Sequence, residues 1–395
     1  MFLQIHTLTA FPASLLNRDD AGLAKRISFG NAMRLRVSSQ CLKRHWRENL
    51  TARLSDLPDG WRTRSFFTRV VLPKAIDSGI PQDIAEKLIE PLVKGVFSNK
   101  KGNDQAENSG GTSKGKGDLK QPVLFGLREA DYFVQMLVDV SSTKDPEKAL
   151  KNWLKSKEEK DNLKAMCKSA LESAGLTATL FGRMVTSDLL ARVDGAVHVA
   201  HAFTVHPANT EMDYFSVVDD LNRDDETGSA HNNYTELGAG LYYGYVVVDV
   251  PLLVSNLTAA PPEKWRSQDA TTARRVLETL IDAILRQSPG AKKGSTAPYA
   301  WADALYLETG RSQPRTLANA YLQALRTDGK ADPRQAALER LADYVKQLDK
   351  MYGPPAQGEG RHLATVLPQP AHLPEKQSVP DAVRAALDAI FSSNA

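Results

Sequence analysis

An α+β fold is predicted for this chain by three observations. Short apolar runs of strand character recur through the first 310 residues, amphipathic helices separate them, and one long helical stretch interrupts the series. Without the interruptions the order is strand, helix, strand, strand, helix, strand. That βαββαβ pattern is ferredoxin-like, and sheets of this kind commonly bind RNA.

The first strand is expected over Phe2 to Leu8, with Leu3, Ile5 and Thr7 on one face and Gln4 and His6 on the other. A loop through Pro12 and Asn17-Arg-Asp-Asp20 leads to Arg34-Leu-Arg-Val-Ser-Ser-Gln-Cys-Leu-Lys-Arg-His-Trp-Arg47, a run that is basic throughout and contains no acid. Strand alternation sets Arg34 and Arg36 on one face. Ser38 or Ser39 then caps a helix whose apolar stripe is Leu42, Trp46 and Leu50, closing a first unit at residues 1–50. Residues 51–180 form a helical insertion, with helices near Gln82 to Val96, Leu127 to Leu137 and Lys148 to Ser173 and a Gly/Ser/Lys-rich loop at 98–117.

Strands return in 181–206, at Leu180 to Thr186 and Val197 to Val205. A polar excursion, 207–240, precedes the most apolar strand, Leu241 to Val250. The part from 241 to 350 continues with a helix over Ala270 to Gln287, a last strand at Ala304 to Glu308, and helices near Leu317 to Leu325 and Arg334 to Leu348. A Pro-rich tail, 351–395, ends in an amphipathic helix that Ser378 caps and Pro380 begins; Val383, Leu387, Ile390 and Phe391 dock it on its own domain.

Charge is nearly balanced, with 50 basic and 47 acidic residues and a formal charge of +3, so any nucleic-acid footprint is local. Cys41 and Cys167 have no metal-like spacing, which excludes a zinc module and a disulfide framework. No signal peptide and no apolar run of membrane-spanning length is visible, so a cytoplasmic protein is expected.

The basic segment is the leading functional candidate. It sets Lys43, Arg44 and Arg47, off the apolar stripe, beside the hydroxyls and free N–H groups of a helix start, an arrangement suited to phosphates. Other constellations carry less. His198, His201, His206 and His231 invite a metal reading, but His198 and His206 lie roughly 27 Å apart at strand rise and His198 and His201 face opposite sides, so no two of the first three converge without a sharp bend and no metal is expected. The acid pairs Asp19-Asp20, Asp219-Asp220 and Asp224-Asp225 would serve a two-metal nuclease only if they converged. Gly290-Ala-Lys-Lys-Gly-Ser-Thr296 lacks the lysine of a phosphate loop and follows a helix instead of preceding one. The excursion holds Met212-Asp-Tyr-Phe-Ser216, in which Tyr214 or Phe215 either packs locally or stacks on bases.

Taken in order, Leu16-Asn-Arg-Asp-Asp20, Arg36-Val-Ser-Ser-Gln-Cys-Leu-Lys-Arg44, Gly182-Arg-Met-Val-Thr-Ser187, Val193-Asp-Gly-Ala196, Ala200-His-Ala202, Val218-Asp-Asp-Leu221, Gly228-Ser-Ala-His231 and Pro289-Gly-Ala-Lys292 resemble the CasC-type backbone subunit of type I-E CRISPR Cascade complexes, of the CRISPR-associated RAMP superfamily. The resemblance runs to about residue 310. It implies a modified RNA-recognition palm with helical fingers and a protruding thumb hairpin, and a non-catalytic subunit that needs no cofactor or metal. Such a subunit polymerises with other copies along the CRISPR RNA, joins other Cascade subunits and presents the guide to target DNA. Carried over by motif, Arg18, Lys25, Ser38, Gln40, Lys43, Arg44 and Arg47 contact the RNA backbone, while Met184, Phe215 and Ser216 sit against a kinked nucleotide. The alternative implied by the wider superfamily is metal-dependent RNA cleavage by a thumb aspartate, Asp213, Asp219 or Asp220.

Overall fold

The computed structural model describes residues 1–97, 117–156, 161, 169–185, 190–217, 231–290, 293–326, 329, 331–354 and 359–392, with 215–217 and 231–233 described by backbone alone. The loop expected at 98–117 therefore lies almost wholly outside the described residues. The chain forms two compact units, Met1–Leu50 with His198–Asp249 and Arg274–Ala395, and Thr51–Val197 with Val250–Ala273.

In chain order the strands are β1 (Phe2–Ser14), β2 (Arg26–Phe29), β3 (Ala32–Val37), β4 (Gly60–Thr63), β5 (Val123–Gly126), β6 (Val197–Val199), β7 (Ala202–Thr204), β8 (Thr210–Val217), β9 (His231–Asp249), β10 (Ala304–Gly310), β11 (Gly360–Thr365) and β12 (Lys376–Gln377). The α-helices are α1 (Ser39–Arg53), α2 (Leu72–Asp77), α3 (Gln82–Phe97), α4 (Leu127–Ser141), α5 (Pro146–Lys155), α6 (Ala170–Phe181), α7 (Val250–Thr258), α8 (Thr271–Arg286), α9 (Lys293–Thr296), α10 (Pro333–Tyr352) and α11 (Val379–Phe391). This is the mixed α+β architecture the sequence predicts.

The first unit is organised by one sheet of order β12-β11-β10-β1-β9-β7-β3-β2, antiparallel except for the β11–β12 pair. β8 pairs with β9 outside this path and forms a hairpin with it. Both faces of the central strands are covered. Ile5, Thr7 and Val246 line a cavity under Leu42 and Trp46 of α1 and Ile284 and Leu285 of α8. On the other face Leu8, Tyr243, Tyr306 and Leu363 pack with Leu338, Leu341 and Val345 of α10. Alternation in β1 was expected to leave Gln4 and His6 on a polar face, yet His6 is only 1% exposed. Its Nδ1 lies 2.8 Å from the Tyr243 hydroxyl, its ring stacks 4.8 Å from Tyr245, and burial pushes its pKa down against the pull of Glu308. The face that an RNA-binding sheet would leave open is thus closed by α10 and three nearly inaccessible tyrosines, Tyr243, Tyr306 and Tyr321.

Several local expectations are corrected. Arg34 does not join Arg36 on a cationic face; it is fully buried and donates to the carbonyls of Thr204 (2.9 Å) and Tyr321 (2.8 Å). The segment Leu317 to Leu325 makes only a 3₁₀ turn, Ala318–Tyr321, because neighbouring elements take its backbone groups: Asn31 N donates to Leu322 O, and Leu325 N donates to Val205 O. Leu180 lies in the last turn of helix α6, which runs to Phe181, and starts no strand. The strand expected over Val197 to Val205 is broken between β6 and β7, at Ala200 and His201.

The tail adds more than a docked helix. β11 pairs along the whole of β10, which extends the sheet by a strand that its polar sequence, Gly360-Arg-His-Leu-Ala-Thr365, conceals. Helix α11 begins where expected, with the Ser378 hydroxyl accepting from Asp381 N at 3.2 Å, and it buries Ala382, Val383, Ala386, Leu387 and Ile390 against β10 and β11.

The second unit is mainly helical. Its core is an aromatic cluster in which Phe66 stacks on Phe125 at 4.0 Å, with Phe67 and Phe133 edge-on. The small β4–β5 sheet lies at the edge of this cluster. No helix among the described residues is long and apolar enough to cross a membrane.

Because Leu387 is completely buried, Leu387→Ala should lower unfolding free energy by about 2 to 5 kcal/mol. Urea denaturation checks this, and an unchanged midpoint would show that α11 does not contribute to the fold.

Candidate nucleic-acid interface

The site is built outward from the exit of β1. Asn17 fastens two segments at once: its side-chain oxygen accepts from Ser38 N at 2.9 Å, and its carbonyl accepts from Lys25 N at 2.9 Å. Between them residues 18–24 form a closed loop. Arg18 bridges to Ala24, and one carboxylate oxygen of Asp19 accepts from the amides of Ala21 and Leu23 at 3.0 and 2.9 Å. Gly22 takes the left-handed conformation (φ +86°) that this turn requires. Glu236 of β9 holds the far side by accepting from Ala24 N at 2.7 Å and pairing with Arg26. Of the loop's two acids, Asp19 engages the amides while Asp20 is exposed, and Arg18 stays exposed with no ion pair to an acid among the described residues.

Against this loop stands the start of α1. Ser38 is nearly buried, and its hydroxyl accepts from Cys41 N at 3.3 Å, so Ser38 acts as the helix N-cap. Gln40 and Arg44 are exposed, whereas Lys43 and Arg47 are half-buried. Partial burial lowers the pKa of the Lys43 ammonium, and Arg44 forms an exposed i,i+4 pair with Glu48 that stabilises little. Burial pushes the Cys41 thiol up while Arg44, Lys25 and Lys293 pull it back, which locates those three cations around the first turn of the helix. At the break between β6 and β7, His201 lies 2.8 Å from an Arg36 guanidinium nitrogen; desolvation, then Arg36 and Lys25, depress its pKa. The structure therefore gathers Arg18, Lys25, Ser38, Gln40, Lys43 and Arg44 around the first turns of α1, with Arg47 one turn beyond Lys43, and adds Arg36, His201 and Lys293. Lys293 lies in the segment that fails as a phosphate loop, and only its proximity to Cys41 in the folded chain brings it to this site.

The hairpin of β8 and β9 belongs to the same unit. In its register Phe215 pairs with Asn233 and Ser216 with Asn232, and their side chains lie outside the described residues. Tyr214 and Tyr234, directly opposed, are 52% and 63% exposed with ring centroids 5.3 Å apart. An exposed aromatic pair of this kind offers a stacking surface.

Met184 belongs to the second unit. Its neighbour Arg183 is buried, bonding both carboxylate oxygens of Glu129 at 2.8 Å and the Ala191 carbonyl at 2.7 and 2.9 Å. This anchor leaves Met184 94% exposed, unusual for an apolar side chain.

Among the described residues no three His, Cys, Asp or Glu side chains come together as metal ligands. His206 instead serves the backbone, with Nδ1 at the Pro207 carbonyl and Nε2 accepting from Leu241 N. Asp213 is exposed on β8, and Asp219 and Asp220 lie outside the described residues.

The sequence pattern of the family described as CT1975-like protein matches residues 3–387. A chain of the solved structure "CRISPR RNA-guided surveillance complex, pre-nicking" is 27% identical, with a TM-score of 0.79 over 99% of this chain and 100% of that one. A chain of a second structure, "CRISPR RNA-guided surveillance complex", shares the fold at 23% identity and a TM-score of 0.59, covering 99% and 100%. No curated protein matches the sequence. With nearly the whole chain matched, this protein belongs to the CT1975-like protein family.

Proposed function

We propose that the protein is a non-catalytic RNA-binding backbone subunit of a type I-E Cascade complex. The observation that carries this reading is the cluster of cations around the start of α1, with Arg18 free of any ion pair to an acid among the described residues and Asp19 engaged by the loop's own backbone. Such a cluster holds phosphates without reading bases, which is what a guide of variable sequence demands. The strand order β10-β1-β9-β7, with α1 and α8 on one face, has the 4-1-3-2 arrangement of a ferredoxin-like palm, and the β8–β9 hairpin supplies the thumb. On this reading copies of the subunit line the CRISPR RNA in the cytoplasm, join other Cascade subunits and leave guide bases open to target DNA. The exposed Tyr214–Tyr234 pair and Met184 supply surfaces against which nucleotides bend. Nothing in the role calls for catalysis.

Purified from its host, the protein should bring with it a discrete small RNA and further subunits, and should leave that RNA intact in Mn²⁺. Recovery without RNA would overturn the proposal, and cleavage abolished by Asp213→Asn would replace it with a nuclease. Replacing Lys43, Arg44 and Arg47 with Ala should flatten the salt dependence of RNA binding by about two units of log–log slope, at roughly 0.7 per single-strand phosphate contact. Filter binding across a salt series measures it, with an unchanged slope in the folded variant as the contrary result.

His201 gives a pH test. Its pKa is depressed in the free protein, and a phosphate beside it would favour the imidazolium, so binding takes up a proton. Affinity for RNA should therefore rise as pH falls from about 7.5 to about 5.5, around the usual histidine range, and His201→Gln should remove much of that rise. Identical pH profiles for the two proteins would exclude His201 from the contact.

A further inference from the structure

Between Asp59 and Asp77, in the second unit, the chain carries Arg62, Arg64, Arg69 and Lys74 and no acid. Arg62 lies on β4 and Arg64 just beyond its end, both exposed. Alternation sets the pair on one side of the ribbon, about 7 Å apart at strand rise. The intervening geometry is fixed. Trp61 packs on the aromatic cluster, 6.1 Å from Phe66, and so directs Arg62 outward. β4 pairs with β5, with Arg62 opposite Leu124, and Leu119 N donates to Arg64 O at 2.9 Å. Asp118, on that crossing segment, accepts from Ser65 Oγ at 3.0 Å and Thr68 Oγ1 at 2.7 Å, so both its oxygens are engaged.

Elsewhere in this unit arginines meet carboxylates, Arg128 with Glu172 and Arg183 with Glu129. Arg62 and Arg64 meet none among the described residues. Two neighbouring like charges repel one another and give the folded chain no ion pair. Their forked donors suit phosphate oxygens, and adjacent phosphates of one strand present charges at a comparable interval.

We propose that Arg62 and Arg64 form a second phosphate-binding site, carried by the second unit, for the backbone of a nucleic-acid strand. The inference rests on the nucleic-acid reading above. The strand is either the guide itself or the DNA paired with it, and the experiment separates them.

The test compares full-length wild type with the Arg62→Ala/Arg64→Ala double variant across a salt series, using single-stranded RNA, complementary DNA added to RNA-loaded protein, and duplex DNA. The slope should fall by about 1.4 to 1.8 for at least one of these, two contacts at 0.7 to 0.9 each. A fall with RNA alone assigns the guide, and a fall only when DNA is added assigns the target. The Arg62→Lys/Arg64→Lys variant should recover the slope but not the full affinity, because a point charge replaces the fork. Lys87→Ala/Lys94→Ala, which removes two exposed cations paired with Asp83 and Glu90 in the same unit, should leave every slope unchanged. Equal slopes for wild type and the arginine variant with all three nucleic acids overturn the site, as does an equal fall in the lysine control. If the wild type binds no RNA, the proposed function fails and duplex DNA alone decides the site: a fall in slope upholds it, and an unchanged slope or no binding overturns it.

Discussion

The constraint on which the rest of the first unit depends is that its sheet is covered on both sides. α1 and α8 close one face of β1 and β9, and α10 closes the other over Tyr243, Tyr306 and Tyr321. A sheet of this order would otherwise present aromatic side chains to bases. Here those rings are core, and their hydroxyls are tied inward, Tyr243 to His6 and Leu317 N, Tyr321 to the Ala337 carbonyl. What stays available to a ligand is the rim: the start of α1, the loop after β1, the break between β6 and β7, and the β8–β9 hairpin.

Two of the acids on that rim, Asp19 and Glu236, are engaged by backbone amides and Arg26, while the cations outnumber the acids that remain. Asp19 belongs to a sequence of paired acids that could suggest a metal, yet its carboxylate holds the turn around Gly22 together. Glu236 reaches across from the hairpin to fasten Ala24 and neutralise Arg26. Each carboxylate so employed fixes the backbone beside a lysine or arginine that remains outward. The same device recurs in the second unit, where Glu129 anchors Arg183 and leaves Met184 standing in solvent, and where Asp118 is occupied by two hydroxyls beside Arg64. In each case a buried or engaged acid determines where an exposed side chain stands.

The sequence by itself determined the elements with clear periodicity. Leu42, Trp46 and Leu50 define α1 and are its buried residues; the strand expected over Leu241 to Val250 is the end of the long central strand but for Val250, which opens α7; and Ser378 with Pro380 marks the start of α11. These were legible because side-chain spacing and capping are local, set within a few residues. The order of motifs likewise pointed to the family. Only the tertiary structure decided what partners across long sequence separations do to a side chain. Arg34 and Arg36 are chemically alike and two residues apart, yet one is enclosed by carbonyls from Thr204 and Tyr321 and the other faces His201. β11 has a polar sequence and becomes a strand because β10 offers it an edge, while Lys293 joins the site because its loop returns to α1. Burial and pairing are properties of the assembled chain: a charge's surroundings are supplied by residues hundreds of positions away, which no local pattern encodes.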